Sequence, residues 1–207
     1  MIRAAPAAEL AAAVLGVLAD RSEPVVVGLD GRSGAGKSTL AGAVAEELDA
    51  AGRPTLVIEG DDFYAGGSAA TWDRRSAREK AEQVIDWQRQ RRVLLDLRGT
   101  GAAQWHPFDW DAPDWDANVV PMSDRPVRAE AGSVVVLEGA YSCRPELHDL
   151  LDLRVLLDVP ADIRYRRLGE RDGENDHRDW NARWAAAENH YFGTVMTPGR
   201  FDLVVIA

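Results

Sequence analysis

One cysteine in 207 residues leaves no partner for an intrachain disulfide, so Cys143 reads as a small packed residue and a reducing, cytoplasmic compartment is the natural setting. No apolar run in the chain approaches the ~18 residues that a membrane span requires. Residues 1–20 are rich in Ala and Leu, but Glu9 interrupts them, Arg3 is their only early basic side chain and no convincing cleavage site follows; they read as a packing helix rather than a secretory leader. Positive charge is scarce. With 24 Lys and Arg against 34 Asp and Glu, the net charge of -10 excludes a basic, nucleic-acid-coating surface. His106, His148 and His177 show no metal-ligand spacing, and His190 lies beside an apolar stripe as a structural residue does. There is no internal repeat and no N-K-x-D guanine-reading motif, which weighs against a GTPase. What is present, 46% hydrophobic and 28% charged residues, is the composition of an ordinary soluble globular protein, and 207 residues suffice for one α/β domain with a sizeable core and room for a small lid.

The most informative stretch is Gly31-Arg32-Ser33-Gly34-Ala35-Gly36-Lys37-Ser38, which fits G-x-x-x-x-G-K-[ST]. Val25-Val26-Val27-Gly28-Leu29 precedes it as a buried strand. Leu40, Val44 and Leu48 follow at four-residue spacing on one helix face, which Gly52 and Pro54 close. Strand, glycine-rich turn and helix are the setting in which backbone N–H groups converge on phosphate oxygens. Gly31, Gly34 and Gly36 let the backbone curl; Ser33, Ala35 and Thr39 contribute to the same cradle. Lys37 neutralises phosphate charge, and the Ser38 hydroxyl suits a magnesium ion.

Further strands end in acidic residues. Thr55-Leu56-Val57-Ile58-Glu59 runs into Gly60-Asp61-Asp62-Phe63-Tyr64, and Val134-Val135-Val136-Leu137 runs into Glu138-Gly139. In open parallel sheets ligands bind at the C-terminal edge, so Asp61, Asp62 and Glu138 stand where the glycine-rich loop points. One of the paired aspartates takes a proton from a substrate hydroxyl or meets the metal, unless the pair only caps the next turn. Glu138 holds magnesium directly or through water. Residues 65–75 read as a mobile surface loop. Ser76 with Glu79 forms a capping box, and a helix begins near Asp86, carries Val93, Leu94 and Leu97, and stops at Gly99. Asp86 is either that helix's N-cap or an acceptor ligand. Arg89, Arg91 and Arg92 read as a solvated face. Residues 99–133 are irregular and hold Trp105-His106-Pro107-Phe108-Asp109-Trp110 and Trp115; these rings either stack on a planar substrate or seal a subdomain.

A fourth strand spans Leu153 to Val159, and Pro160 opens a helix that aligns Arg164, Arg167 and Arg171 as a phosphate clamp. The charged segment from Gly169 to Arg178, with Gly173, suits a lid. Asp179 caps a last helix whose stripe of Trp180, Trp184, Ala187 and Tyr191 reads as core, and Leu203-Val204-Val205-Ile206 supplies a fifth strand.

In this order the motifs resemble the uridine kinase family of P-loop kinases from about residue 25 onward. Asp30 to Ser38 is similar to that family's D-G-x-S-G-x-G-K-S loop, Gly60-Asp61-Asp62-Phe63-Tyr64 to its Q-D-S-F-Y, Leu137-Glu138-Gly139 to its F-E-G, and Arg164-x-x-Arg167 with Arg171-Asp172 to its lid helix. The resemblance implies Asp61 as catalytic base, Glu138 as a magnesium holder together with Ser38 and Asp61, Lys37, Arg164 and Arg167 as catalytic, and Arg171 as a phosphate contact. It implies acceptor contacts from Asp62, Tyr64, Asp86, His106 and Phe108. Departures gather at the acceptor. The family's P-x-Y-D-F stands here as His106-Pro107-Phe108-Asp109-Trp110, and its ribose-gripping F-D-H-P finds only Asp86-Trp87 and Trp72-Asp73 as candidates.

The expectation is a single P-loop kinase domain over residues 1–207, a five-stranded parallel sheet with helices on both faces. Residues 25–64 would be the nucleotide core, 65–131 the acceptor insertion and 160–180 the lid. ATP and Mg²⁺ are the expected cofactors and a nucleoside the expected acceptor. The alternatives are nicotinamide riboside, pantothenate, a non-kinase nucleotide switch, or a nucleotide-binding module without catalysis. No nucleic-acid or membrane partner is expected, and homo-oligomer formation stays open.

Overall fold

The computed structural model of the protein describes residues 4–19, 21, 24–112, 120–172 and 178–207. Among them run seven strands: β1 (Val25–Asp30), β2 (Thr55–Glu59), β3 (Ala102–Trp105), β4 (Val127–Glu130), β5 (Val134–Glu138), β6 (Leu153–Asp158) and β7 (Leu203–Ile206). Five of them form one parallel sheet in the order β2-β5-β1-β6-β7, as expected. Every residue of β1 and β5 is buried, which their unbroken β-branched and apolar sequences require of strands covered on both faces.

The helices are α1 (Ala4–Leu18), α2 (Lys37–Ala50), α3 (Ala69–Asp73), α4 (Ala77–Gln83), α5 (Trp87–Thr100), α6 (Ala161–Asp172) and α7 (Arg178–His190). Side chains alternate across the sheet with period two, so Val25, Val27, Val134 and Val136 meet Leu10, Val14, Leu40 and Val44 of α1 and α2 on one face. Val26, Val135 and Leu137 join the core that holds Val93, Leu94 and Leu97 of α5 and Trp184 of α7 on the other. Register then levels the strand ends. Leu29 and Glu59 both lie opposite Glu138, so the segments that follow β1, β2 and β5 leave the sheet together at one edge.

Three expectations are corrected. Residues 65–75 are not a mobile surface loop: Ser68 caps α3 by accepting from the Thr71 N–H, and Trp72, 1% exposed, donates its indole N–H to the Gly66 carbonyl at 2.8 Å. A ring that large draws a short, polar-looking segment into the core because its buried area outweighs the local loop preference. The helix does not stop at Gly99; α5 runs to Thr100 and leaves through Gly101, whose φ of 78° is the left-handed turn that a glycine provides at no steric cost. Residues 99–133 are not irregular throughout, because β3 and β4 pair antiparallel, Ala102 opposite Glu130 and Trp105 opposite Val127. The capping box of Ser76 and Glu79 is present, and Asp86 caps α5 through the Arg89 N–H at 3.1 Å. Trp115, Gly173 and His177 lie outside the described residues.

Candidate active site

The glycine-rich loop leaves β1 and enters α2 at Lys37, with Gly36 in a left-handed conformation (φ 94°) and no side chain capping the helix. The first-turn N–H groups of α2 are thus left for a ligand, and the helix dipole favours an anion there. Gly34 meets a sharper constraint. Its φ is +77°, and a Cβ would lie 2.5 Å from the Arg164 carbonyl oxygen, so only glycine lets α6 approach this closely.

Two of the three groups expected at a metal, Ser38 and Glu138, meet. Ser38 Oγ donates to Glu138 Oε1 at 2.8 Å across the gap between α2 and the end of β5. Glu138 is 5% exposed, and burial pushes its carboxyl up from the usual carboxylate range, with Ser38 and Lys37 opposing and the Asp61 charge reinforcing. A buried carboxylate held up in this way gains most from a cation, so the donor set fits a hard divalent ion. Among the described residues no group of three or more His, Cys, Asp or Glu is arranged to hold a metal ion. The fit therefore rests on Ser38, Glu138 and phosphate oxygens, the pattern of a magnesium ion that keeps several waters.

Asp61 is exposed on the 3₁₀ turn Gly60–Phe63 at the end of β2, and its charge raises both Glu138 and Asp62. Gly60 sits so close to β5 that a Cβ would lie 2.8 Å from the Glu138 carbonyl oxygen. Its neighbour Asp62 is half-buried, pushed up by burial, and accepts the Trp105 indole N–H at 2.7 Å. Lys37 Nζ donates to the Arg32 carbonyl at 3.3 Å, within the loop.

Two arginines of α6, Arg164 and Arg167, point to the loop. Arg164, buried, donates to the Val159 carbonyl and to the Ser33 carbonyl at 3.2 Å, and Arg167 donates to the Ala35 carbonyl at 2.6 Å. Arg171 is exposed at the far end of α6. The small cavity beside them, lined by Arg32, Asp158, Val159, Arg164, Phe192 and Pro198, opens at the same edge.

Around the residues expected to contact an acceptor, the rings pack mainly on one another. Tyr64 is 2% exposed, stacks on Trp110 at 5.0 Å and meets Phe108 edge-on at 4.9 Å; Trp72, Trp180 and Trp184 continue the cluster. Phe108 is buried, with its N–H on the Asp62 carbonyl, and His106 turns Nδ1 to the Ser123 carbonyl at 2.8 Å while its own carbonyl accepts from Arg89. Asp86 stays near the acidic turn, its N–H on the Phe63 carbonyl, and it helps Asp62 offset the loss of charge stabilisation that burial imposes on Arg89. Of the five expected acceptor residues, Asp62 and Asp86 thus border the acidic turn, whereas Tyr64 and Phe108 fill the packing behind it and His106 faces away.

Two buried carboxylates bonded to the glycine-rich loop were given no role of their own in the sequence reading. Asp30, fully buried, accepts from the Gly31, Tyr141 and Cys143 N–H groups and from the Tyr191 hydroxyl, tying the loop after β5 and the end of α7 to the start of the glycine-rich loop. Burial raises its carboxyl to about 6. Glu188, 4% exposed, accepts from the Ser33 N–H and Oγ. The available signals were a charge ending an apolar strand and a glutamate that continues the four-residue spacing of Trp180 and Trp184. Cys143 behaves as expected, buried with its thiol pushed well above its ordinary value by burial.

Comparison with known proteins shows the family. A family model described as an AAA domain matches residues 27–190. A uridine kinase from Anoxybacillus flavithermus is 30% identical over 73% of this chain and 69% of its own length. The chain is a uridine kinase family member that carries an AAA domain. Another uridine kinase, from Limosilactobacillus reuteri, is 32% identical over 72% of this chain, and the match covers 65% of that protein, less than two thirds of its length. The structure of a possible uridine kinase from Bacillus stearothermophilus superposes with a TM-score of 0.70 over 96% of each chain at 20% identity, a likeness of fold. This family member has no helix, among the described residues, long and apolar enough to cross a membrane.

Proposed function

We propose that this uridine kinase family member is a cytoplasmic kinase that uses ATP and Mg²⁺ to phosphorylate a hydroxyl of a small molecule, with a nucleoside as the acceptor. The observation that carries the reading is the 2.8 Å contact of Ser38 with Glu138 beside the exposed Asp61, which joins the glycine-rich loop, a metal-suited pair and a carboxylate base at one sheet edge. Ser38 and Glu138 would hold the magnesium ion, which supplies charge neutralisation between the phosphates. Lys37 and the N–H groups of the loop bind and orient the phosphates. Asp61 orients the acceptor hydroxyl and takes its proton as the oxygen attacks the γ-phosphorus in line and ADP leaves. Arg164 and Arg167 brace the loop from α6, and Arg171 lies on the helix that would close over the nucleotide.

A second reading, another compact alcohol such as nicotinamide riboside or pantothenate, is favoured by one observation: His106 and Phe108, the counterparts of family acceptor residues, are turned to Ser123 and buried. ADP release from ATP and Mg²⁺, measured alone and with nucleosides, nicotinamide riboside, pantothenate and simple sugars, tests both. A nucleoside that raises ADP formation and appears phosphorylated supports the first reading. Stimulation only by another alcohol supports the second, and ATP binding without stimulation by any acceptor would overturn both.

A further inference from the structure

Glu188 interrupts the apolar face of α7 between Ala187 and Tyr191, four residues beyond Trp184, and is buried to 4% exposure. A carboxylate there is costly unless it is paired or hydrogen-bonded. Its partner is a single residue of the phosphate loop: Ser33 gives Glu188 Oε1 both its backbone N–H, at 2.8 Å, and its hydroxyl, at 2.6 Å. The flanking residues repeat the pairing, since Arg32 donates to Asn189 Oδ1 at 2.8 Å and its guanidinium lies 5.0 Å from the Phe192 ring centre. From the opposite side, Arg164 and Arg167 hold the carbonyls of Ser33 and Ala35. Residues 32–35 are thus gripped through donors by α7 and through acceptors by α6.

We infer that Glu188 is a positioning residue for nucleotide binding: by fixing the Ser33 N–H and hydroxyl it sets the curvature of the loop on which the phosphates rest. The inference depends on the nucleotide reading of that loop. It has a consequence for the acceptor side as well. Trp180 and Trp184, on the same face of α7, belong to the aromatic cluster, so packing around the acceptor insertion and the shape of the phosphate loop are set by one helix.

Because both Ser33 donors reach the same oxygen, Glu188→Gln can keep both bonds through its amide oxygen while losing the charge. Glu188→Ala loses both. Calorimetric titration with Mg²⁺-ATP needs no acceptor and separates the cases. The expected result is a Kd raised at least about 10-fold in Glu188→Ala and within about 3-fold of wild type in Glu188→Gln, with Ser33→Ala between them. Combining Ser33→Ala with Glu188→Ala should weaken binding little beyond Glu188→Ala alone, because the two act as a unit. A folded Glu188→Ala protein with wild-type affinity would overturn the inference, as would Glu188→Gln binding as poorly as Glu188→Ala, which would assign the effect to charge. Wild-type protein that binds no Mg²⁺-ATP would overturn the nucleotide reading and this inference with it.

Discussion

The two halves of the candidate site are built by different means. At the phosphate edge, contacts are directional hydrogen bonds between single polar groups: Ser38 on Glu138, Arg164 on the Ser33 carbonyl, Asp30 on three N–H groups. On the side expected to meet the acceptor, rings from four separate segments, Tyr64, Trp72, Phe108 and the α7 tryptophans, pack on one another. The first arrangement tolerates little variation in residue type, and its buried members Asp30, Glu138 and Arg164 stand beside an exposed Asp61. The second tolerates exchange among large apolar residues yet supports the stability of the insertion. Chemistry and stability should therefore respond to different mutations.

The sharpest way to break this contrast is Asp61→Asn. The side chain is exposed at the sheet edge, so turnover should fall by about 10²–10⁴-fold, as expected for loss of a general base, while ATP affinity and Tm stay close to wild type. Turnover near that of wild type in a coupled ADP assay would remove Asp61 from the mechanism. Trp72→Ala probes the opposite half. A ring 1% exposed, packed on Tyr64 and Trp184, should cost about 3–5 kcal/mol of stability by urea unfolding. A cost below about 1 kcal/mol would show that the cluster is no core.

Asp30 links the halves and should leave a pH signature. Its carboxyl is raised from 3.8 to about 6, so between those values the folded chain binds more protons than the unfolded one. The group's contribution to stability is therefore full below pH 3.8 and is lost as pH rises through about 6, a change of about 3 kcal/mol by linkage. Asp30→Asn should flatten this part of the stability profile; an unchanged profile would assign the slope to other groups. The smallest effect is expected at Trp110, 45% exposed and stacked on Tyr64. Trp110→Ala should cost no more than about 1.5 kcal/mol of stability and raise the KM for the acceptor while leaving that for ATP unchanged. Equal changes in both would place the ring outside the acceptor wall.

Legibility in the sequence followed the same division. The strands were readable because parallel strands covered on both faces need unbroken apolar runs, as in Val25-Val26-Val27 and Val134-Val135-Val136-Leu137. The phosphate loop was readable because its glycines and Lys-Ser occupy adjacent positions. Trp72 was not, since a five-residue helix shows too little periodicity to distinguish it from a loop, and Ser68 and Gly67 beside it carry loop signals. Strands β3 and β4, four residues each and 21 residues apart between Trp105 and Val127 along the chain, are too short for an alternating pattern to stand out.

Sequence by itself determined the strands, the phosphate loop and the acidic residues at the strand ends, because each is read from its immediate neighbours in the chain. Tertiary structure alone decided that Glu188 should hold Ser33, 155 positions away, and that the Tyr191 hydroxyl should reach Asp30 across 161. Buried polar groups are stable only with partners, and which partner arrives is set by the strand order β2-β5-β1-β6-β7 and by the helix that returns over it.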